Sequence, residues 1–324
     1  MPRTIDRKPR GALGSLANQD MGPPRAVIEA VQDRLGPLAE EPVALGGGIT
    51  NHNFRARFGD AEVVLRIAGH ETELLGIDRA AEHVATQAAA KLGIAPAVRA
   101  FLPEHSCLVT AFVAATPLPS ARLREPPALP ELARALRAFH EHAPSLPTAF
   151  DVPRIADEYL TLARDRGADV SPTAEDAARL ARRIAAAVAG HPEHAIVPCH
   201  DDLLAANVLG DGRRLWLVDW EYAGMGDRYF DLGNLSINND FSDADDRALL
   251  EAYWDEPATP RRFAALRLMR SMSDVREALW GVVQAAISEL DFDFAAYSDK
   301  HLRRLQATTA DPRYEGWLRD ATSS

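Results

Sequence analysis

Pro198-Cys199-His200-Asp201-Asp202-Leu203-Leu204-Ala205-Ala206-Asn207, with Leu215-Trp216-Leu217-Val218-Asp219 a short step further on, is the stretch on which the reading of this chain turns. It spells His-x-Asp-Leu-x-x-x-Asn and then an apolar strand ending in a second Asp. The residue types suit transfer of a phosphoryl group. Asp202 can accept the proton of a hydroxyl, while Asn207 and Asp219 offer oxygen ligands to a Mg²⁺ ion lying between nucleotide phosphates. His200 sits in the same catalytic loop as its organiser, hydrogen-bonded to backbone. Asp201 has the wrong spacing to Asn207 to be the base. A lone His-x-Asp triplet is common in structural loops, so the reading depends on what else the chain carries, and in which order.

At 324 residues the chain suffices for about two domains or one bilobal unit. Its net charge of −11 argues against nucleic acid or an anionic membrane as the main partner. No apolar run approaches the roughly 20 residues that cross a bilayer. The basic N-terminus (Arg3, Arg7, Lys8, Arg10) has no apolar stretch after it, so it does not read as a secretory signal. Two cysteines, Cys107 and Cys199, fit a reducing cytoplasm and no disulfide framework. Cys199 precedes His200, yet nothing beside it in sequence activates a thiol.

The pattern predicts a flexible tail over residues 1–22, a β-rich lobe over 23–115 that binds nucleotide, and a mostly helical lobe over 116–324 that carries the catalytic and acceptor sites. Helices are expected at Pro24–Leu35 and from about Thr72 to Leu92. Strands alternate through Phe54, Ala56 and Phe58, run from Ala61 to Ile67, and recur near Val98 to Phe101 and Cys107 to Val113. After Pro117 helical patterns follow at 130–142, 153–167 and 173–189, then two short strands around the catalytic stretch, then a long helix from Thr259 to Leu290. The fold class expected is α+β: a bilobal protein-kinase-like fold with its seam near Ala111 to Pro117.

Further motifs take their places on this frame. Leu45-Gly46-Gly47-Gly48-Ile49-Thr50-Asn51-His52-Asn53 joins two strands. Gly47 and Gly48 would let backbone approach phosphate, with Thr50, Asn51 and Asn53 adding short polar side chains. Gly-rich hairpins are frequent, so alone this loop is weak. Arg66, inside the apolar Val63-Val64-Leu65-Arg66-Ile67, needs a partner, since an unpaired buried charge is costly. Glu82 on the next helix is the natural one, and the pair would clamp nucleotide phosphates. Asp231 is expected to brace the catalytic loop. Glu221, two residues past Asp219, and Trp280, with Gln284 one turn on, could form part of an aromatic-acidic cage for a cation. A solvent-facing Glu and a core Trp are the plain alternatives.

Taken together, these segments resemble the choline/ethanolamine kinase family within the larger aminoglycoside-phosphotransferase-like group. The likeness covers about residues 40 to 310. It runs from Gly47-Gly48-Ile49-Thr50-Asn51, Arg66, Arg79-x-x-Glu82 and Gly93-Ile94-Ala95-Pro96 through the catalytic stretch and Phe230-Asp231-Leu232-Gly233-Asn234 to Trp280 and Tyr297. The resemblance implies ATP and Mg²⁺, Asp202 as base, Asn207 and Asp219 as metal ligands, and Glu221 with Trp280 near a choline ammonium. Three positions depart from the family pattern: Asp201 for Asn, Glu277 for a second Trp one turn before Trp280, and Met225 for an aromatic. They thin the aromatic cage and keep ethanolamine, thiamine or an aminoglycoside as alternative acceptors. Rivals from other classes are a non-catalytic nucleotide-binding module and a metal-dependent hydrolase using His191, His194, His200 and Asp202. The intact Asp202, Asn207 and Asp219 speak against the first; Arg66, the glycine loop and Asp219 go unexplained by the second. The oligomeric state is left open, a homodimer included.

Overall fold

The computed structural model describes residues 22–46, 51–69, 71–288 and 290–322. Helix α1 (Arg25–Leu35) starts just after Pro24 and buries Val27 and Val31, and Gly36, at φ +94°, ends it. Strands β1 (Leu38–Leu45), β2 (Asn51–Phe58) and β3 (Ala61–Ala68) follow, with Gly59 turning β2 into β3. The single helix expected from Thr72 to Leu92 is corrected. The chain makes a short 3₁₀ turn at Thr72–Leu75, breaks at Gly76 (φ +81°) and restarts as α2 (Arg79–Lys91). Asp78 starts the second piece by accepting the Ala80 and Ala81 amides at 2.8 and 3.0 Å, groups that a helix start otherwise leaves unpaired. Strands β4 (Val98–Leu102) and β5 (Cys107–Ala111) complete an antiparallel sheet of order β1-β2-β3-β5-β4. Phe54, Ala56 and Phe58 of β2 and Val63, Leu65 and Ile67 of β3 point inward at period two, onto α1.

Strand β6 (Thr116–Pro117) already pairs with β8 (Val208–Gly210), which continues to β9 (Leu215–Leu217). The helical lobe comprises α3 (Ser120–Leu123), α4 (Ala128–His142), α5 (Val152–Asp165) and α6 (Pro172–Val188). A second ribbon, β7 (Ile196–Cys199) with β10 (Gly224–Asp227), leads into α7 (Arg228–Asn238) and α8 (Asp243–Trp254). Then come α9 (Pro260–Ile287), α10 (Phe294–Thr309) and α11 (Tyr314–Asp320). Thr259 caps α9, its side chain accepting the Arg262 amide. α9 is buried almost all round because α5, α6, α7, α10 and α11 all pack on it. The chain thus has a bilobal protein-kinase-like fold. The two lobes are tied where the Leu217 amide donates to the Ile94 carbonyl (2.8 Å) and the Tyr159 hydroxyl to the Leu75 carbonyl (2.9 Å).

The α7–α9 crossing is close enough to need a glycine. A Cβ on Gly233 would meet the Met269 carbonyl carbon at 2.6 Å and the Arg270 nitrogen at 2.7 Å. At an exposed helix site Gly→Ala stabilises by up to about 1 kcal/mol. Here Gly233→Ala is expected to cost about 1–3 kcal/mol, the range for overpacking, as a lower urea midpoint. A gain in stability would show that the helices are not in contact at this residue.

Candidate active site

The catalytic loop is held from behind by one buried carboxylate. Asp231, in the first turn of α7, accepts the His200 amide (2.9 Å) and the Asp201 amide (2.8 Å). Its Oδ2 also meets His140 Nε2 at 2.9 Å, and His140 Nδ1 meets the Tyr253 hydroxyl at 2.7 Å. Burial alone would raise the Asp231 carboxyl, but the bond to His140 and the His200 amide hold it below the usual range. One turn on, Asn234 Oδ1 takes the Leu203 amide and its Nδ2 donates to Ser273 on α9. Burial also lowers His200, so its ring is neutral. Nε2–H donates to the Val218 carbonyl (3.0 Å), while Nδ1 accepts the Asp202 amide (3.3 Å).

Asp202 emerges from this brace with its side chain against Asn207 and Arg276. Asn207 Nδ2 donates to the Asp202 carbonyl (2.8 Å) and carboxylate (3.2 Å). That commits the amide nitrogen and leaves its oxygen for a ligand. Burial raises Asp202 well above the ordinary carboxylate range; Arg276 pulls it down, and Glu277, Asp219 and Glu221 push it up. Asp201 goes the other way, to the wall of β10, where its Oδ1 lies 3.3 Å from where a Gly226 Cβ would stand.

Arg66 joins the lobes. Its Nε lies 2.6 Å from Glu82 of α2, and its Nη2 bonds Asp219 across the cleft and lies 3.3 Å from Glu221. Burial weighs against its charge, and the three carboxylates outweigh burial, so the guanidinium stays charged. Asp219, at φ +69°, is raised by burial and drawn down by Arg66. Arg79 adds a second guanidinium, at 2.7 Å from Glu82, 3.2 Å from Glu221 and 3.0 Å from the Thr72 hydroxyl. Asn51 Nδ2 donates to Glu221 at 2.7 Å, and Asn53 stands opposite Arg66 in the β2–β3 pairing. Gly47, Gly48 and Thr50 lie outside the described residues.

Glu221 and Trp280 have different surroundings. Glu221 faces Asn51, Arg66 and Arg79. Trp280 packs on Phe294 and Tyr297 and donates its Nε1–H to the Tyr222 hydroxyl at 3.1 Å. Beside Tyr222 lies a cavity of about 370 Å³, whose wall includes Glu73, Asp78, Glu158 and Glu221 together with Tyr159 and Phe150. The sequence reading gave no role to Arg79, Tyr222 or Arg276. Arg79 had a local signal, one helical turn before Glu82 on the same face. The other two show their place only in three dimensions.

The rings of His191 and His194 lie 6.0 Å apart, but among the described residues they form no metal-binding group with His200 and Asp202. His194 Nδ1 pairs with Asp227 (2.5 Å), and both His200 nitrogens serve the loop. Among the described residues the one converging group of possible metal ligands is His140, Cys199 and Asp231, which is the brace itself. Burial pushes the Cys199 thiol up, as befits a packed side chain and not a nucleophile.

A cleft between a β-sheet lobe and a helical lobe, with an aspartate brought to its floor beside an asparagine and a bridging arginine, defines a small-molecule phosphotransferase. Residues 42–267 match the phosphotransferase enzyme family, and the chain belongs to it. It falls with the choline/ethanolamine-kinase-like members, ATP-dependent kinases of an alcohol group. A choline/ethanolamine kinase family protein from Mesorhizobium loti is 30% identical, with a TM-score of 0.77 over 91% of this chain and 98% of that one. Mouse ethanolamine kinase 2 is 28% identical over 266 residues, 73% of this chain and 67% of that protein. The choline kinase LicA from Streptococcus pneumoniae, at 22% identity and a TM-score of 0.69 over 88% of this chain and 98% of its own, shares the fold.

Asp201 gives a prediction about stability. Burial and the nearby Asp231 raise its carboxyl well above the usual range, against Arg276 and the Gly224 backbone. Folded Asp201 therefore keeps its proton to higher pH than the unfolded chain does. Its contribution is whole below about pH 4 and is lost as pH rises toward the raised folded value. Asp201→Asn should remove that loss, so the variant's melting temperature gains on wild type as pH rises from 5 to 8. A gap constant with pH would mean that Asp201 does not hold a proton in the folded state.

Proposed function

We propose that the protein transfers the γ-phosphoryl group of ATP to the hydroxyl of a small amino alcohol, with choline and ethanolamine as the acceptors to test first. The observation that carries this reading is the placement of Asp202. It stands at the floor of the cleft, held by Asn207, with the Asp231 brace behind it and the aromatic and acidic side chains of the acceptor side close by. Asp202 orients the hydroxyl and takes its proton, and Arg66 neutralises developing phosphate charge. Asn51 and Asn53 stand on the nucleotide side, and Glu82 keeps Arg66 in place.

Mg²⁺ fits the residues present. The amide oxygen of Asn207 and the carboxylate of Asp219 are hard donors of the kind this ion takes, and it would screen the phosphates. Choline is favoured by the rings of Trp280 and Tyr297, and ethanolamine by the cavity carboxylates, which can accept N–H bonds. The two buried cysteines suit a reducing compartment, and we place the protein in the cytoplasm. Among the described residues no helix is long and apolar enough to cross a membrane.

Asp202→Asn should leave ATP affinity in place and lower kcat by about 10²–10⁴, the span of a general base. ADP release with choline and ethanolamine measures it, and a near-normal kcat would move the base elsewhere. Asp219→Ala should make ATP affinity, followed by calorimetry, insensitive to Mg²⁺. Retained Mg²⁺ dependence would remove Asp219 from the metal site.

A further inference from the structure

The acceptor side of the site already holds a cation. Arg276, on α9, is buried at 3% exposure, and its guanidinium carbon lies 4.0 Å over the centre of the Tyr222 ring. Its Nη1 bonds Glu277 at 2.6 Å and lies 3.7 Å from the Asp202 carboxylate. Glu277 in turn accepts the Tyr297 hydroxyl at 2.5 Å. A ring face with two carboxylates around a positive charge is the arrangement that recognises an ammonium group, and here a protein side chain fills it. Nε and Nη2 of Arg276 have no hydrogen-bond partner, so stacking on Tyr222 and the ion pairs are what hold the group.

We propose that Arg276 is a specificity-determining residue that occupies the cation cage beside Asp202, so that the enzyme selects amino alcohols with N–H groups over quaternary ammonium alcohols. This rests on the amino-alcohol reading above. A quaternary head has no N–H and depends on a ring face and an uncompensated negative field. Arg276 takes the Tyr222 face and sets a like charge beside the place such a head would need. A primary ammonium has three N–H donors, and Glu73, Asp78 and Glu158 around the adjoining cavity offer acceptors for them. The cavity adjoins the site through Tyr222, which lines it and also carries Arg276 on its ring.

Two measurements on the full chain test this. Wild type is assayed with ethanolamine and its mono-, di- and trimethyl derivatives; kcat/KM should fall with each methyl, by at least about tenfold from ethanolamine to choline, or about 1.4 kcal/mol. Equal or higher kcat/KM for choline overturns the proposal, and needs no variant that might fail to fold. Separately, calorimetry with tetramethylammonium should detect no binding to wild type and measurable binding to Arg276→Gln, in which Glu277 remains to attract the ion. Binding to wild type as strong as to the variant overturns the proposal as well. If none of the four alcohols is phosphorylated, the amino-alcohol reading falls, while the tetramethylammonium titration still decides whether Arg276 fills a cation cage.

Discussion

The buried carboxylate of Asp231 is the constraint on which the site depends. A charge out of contact with water is tolerable only when donors surround it, and here two donors are consecutive backbone amides of the catalytic loop, His200 and Asp201. Satisfying Asp231 therefore fixes the loop's path, including the left-handed conformation of Asp201 at φ +66°. The turn at Asp201 sends its side chain toward β10 and the next one, Asp202, toward Asn207. Asn234 repeats the device one turn along α7 by taking the Leu203 amide. α7 is in turn seated on α9 by the bare backbone of Gly233. The position of the reacting carboxylate is thus transmitted from helix packing through hydrogen bonds to backbone, with no flexible side chain in the path.

Charge balance does for the two lobes what Asp231 does for the loop. Arg66 and Arg79 on the sheet side face Glu82, Asp219 and Glu221, and each guanidinium reaches both α2 and the segment after β9. With two cations against three carboxylates, the cluster keeps an excess of negative charge. Such a cleft favours a further cation and draws Arg66 toward Asp219. On the function proposed above, a phosphate group entering the cleft would compete with Asp219 for the same guanidinium, so nucleotide binding would draw on the contact that joins the lobes. Arginine suits this position because its fork contacts separate carboxylates at once, which a lysine ammonium on a flexible stem does with less definition.

The elements and residues readable from sequence were those whose signal is local. The spacing from His200 to Asn207, the apolar strand before Asp219 and the N-cap of α9 each state their geometry within a few residues. Arg66 was readable because a cation in an apolar strand demands a partner. The break at Gly76 was lost because residues 72–92 carry a continuous helical pattern, and only the tie from Leu75 to Tyr159 shows why the chain turns there. β1 showed no alternation, since none of its residues is fully buried, and as an edge strand it tolerates Pro42. Glu277 was visible as a departure from an aromatic. Its pairing with Arg276 next door, and the stacking of that arginine on Tyr222, is a tertiary fact between segments far apart in the chain.

That contrast separates the two halves of the site. The catalytic half comes from one contiguous run, residues 198–234, folded onto itself by the Asp231 and Asn234 side chains, which accept backbone amides of the loop. Substitutions that keep its few polar groups keep its geometry. The acceptor half is assembled from Glu73 and Asp78, from α5, from Tyr222 and from α9 and α10, held together mainly by side-chain contacts, with the Tyr159 bond to the Leu75 carbonyl as a tie to backbone. Changing one side chain there alters charge and shape beside Asp202 without moving the loop that carries it. Glu277 in place of an aromatic residue, paired with Arg276, is a change of this kind. It leaves the phosphoryl-transfer machinery in place and turns the choice of acceptor from ring contact to hydrogen bonding and charge.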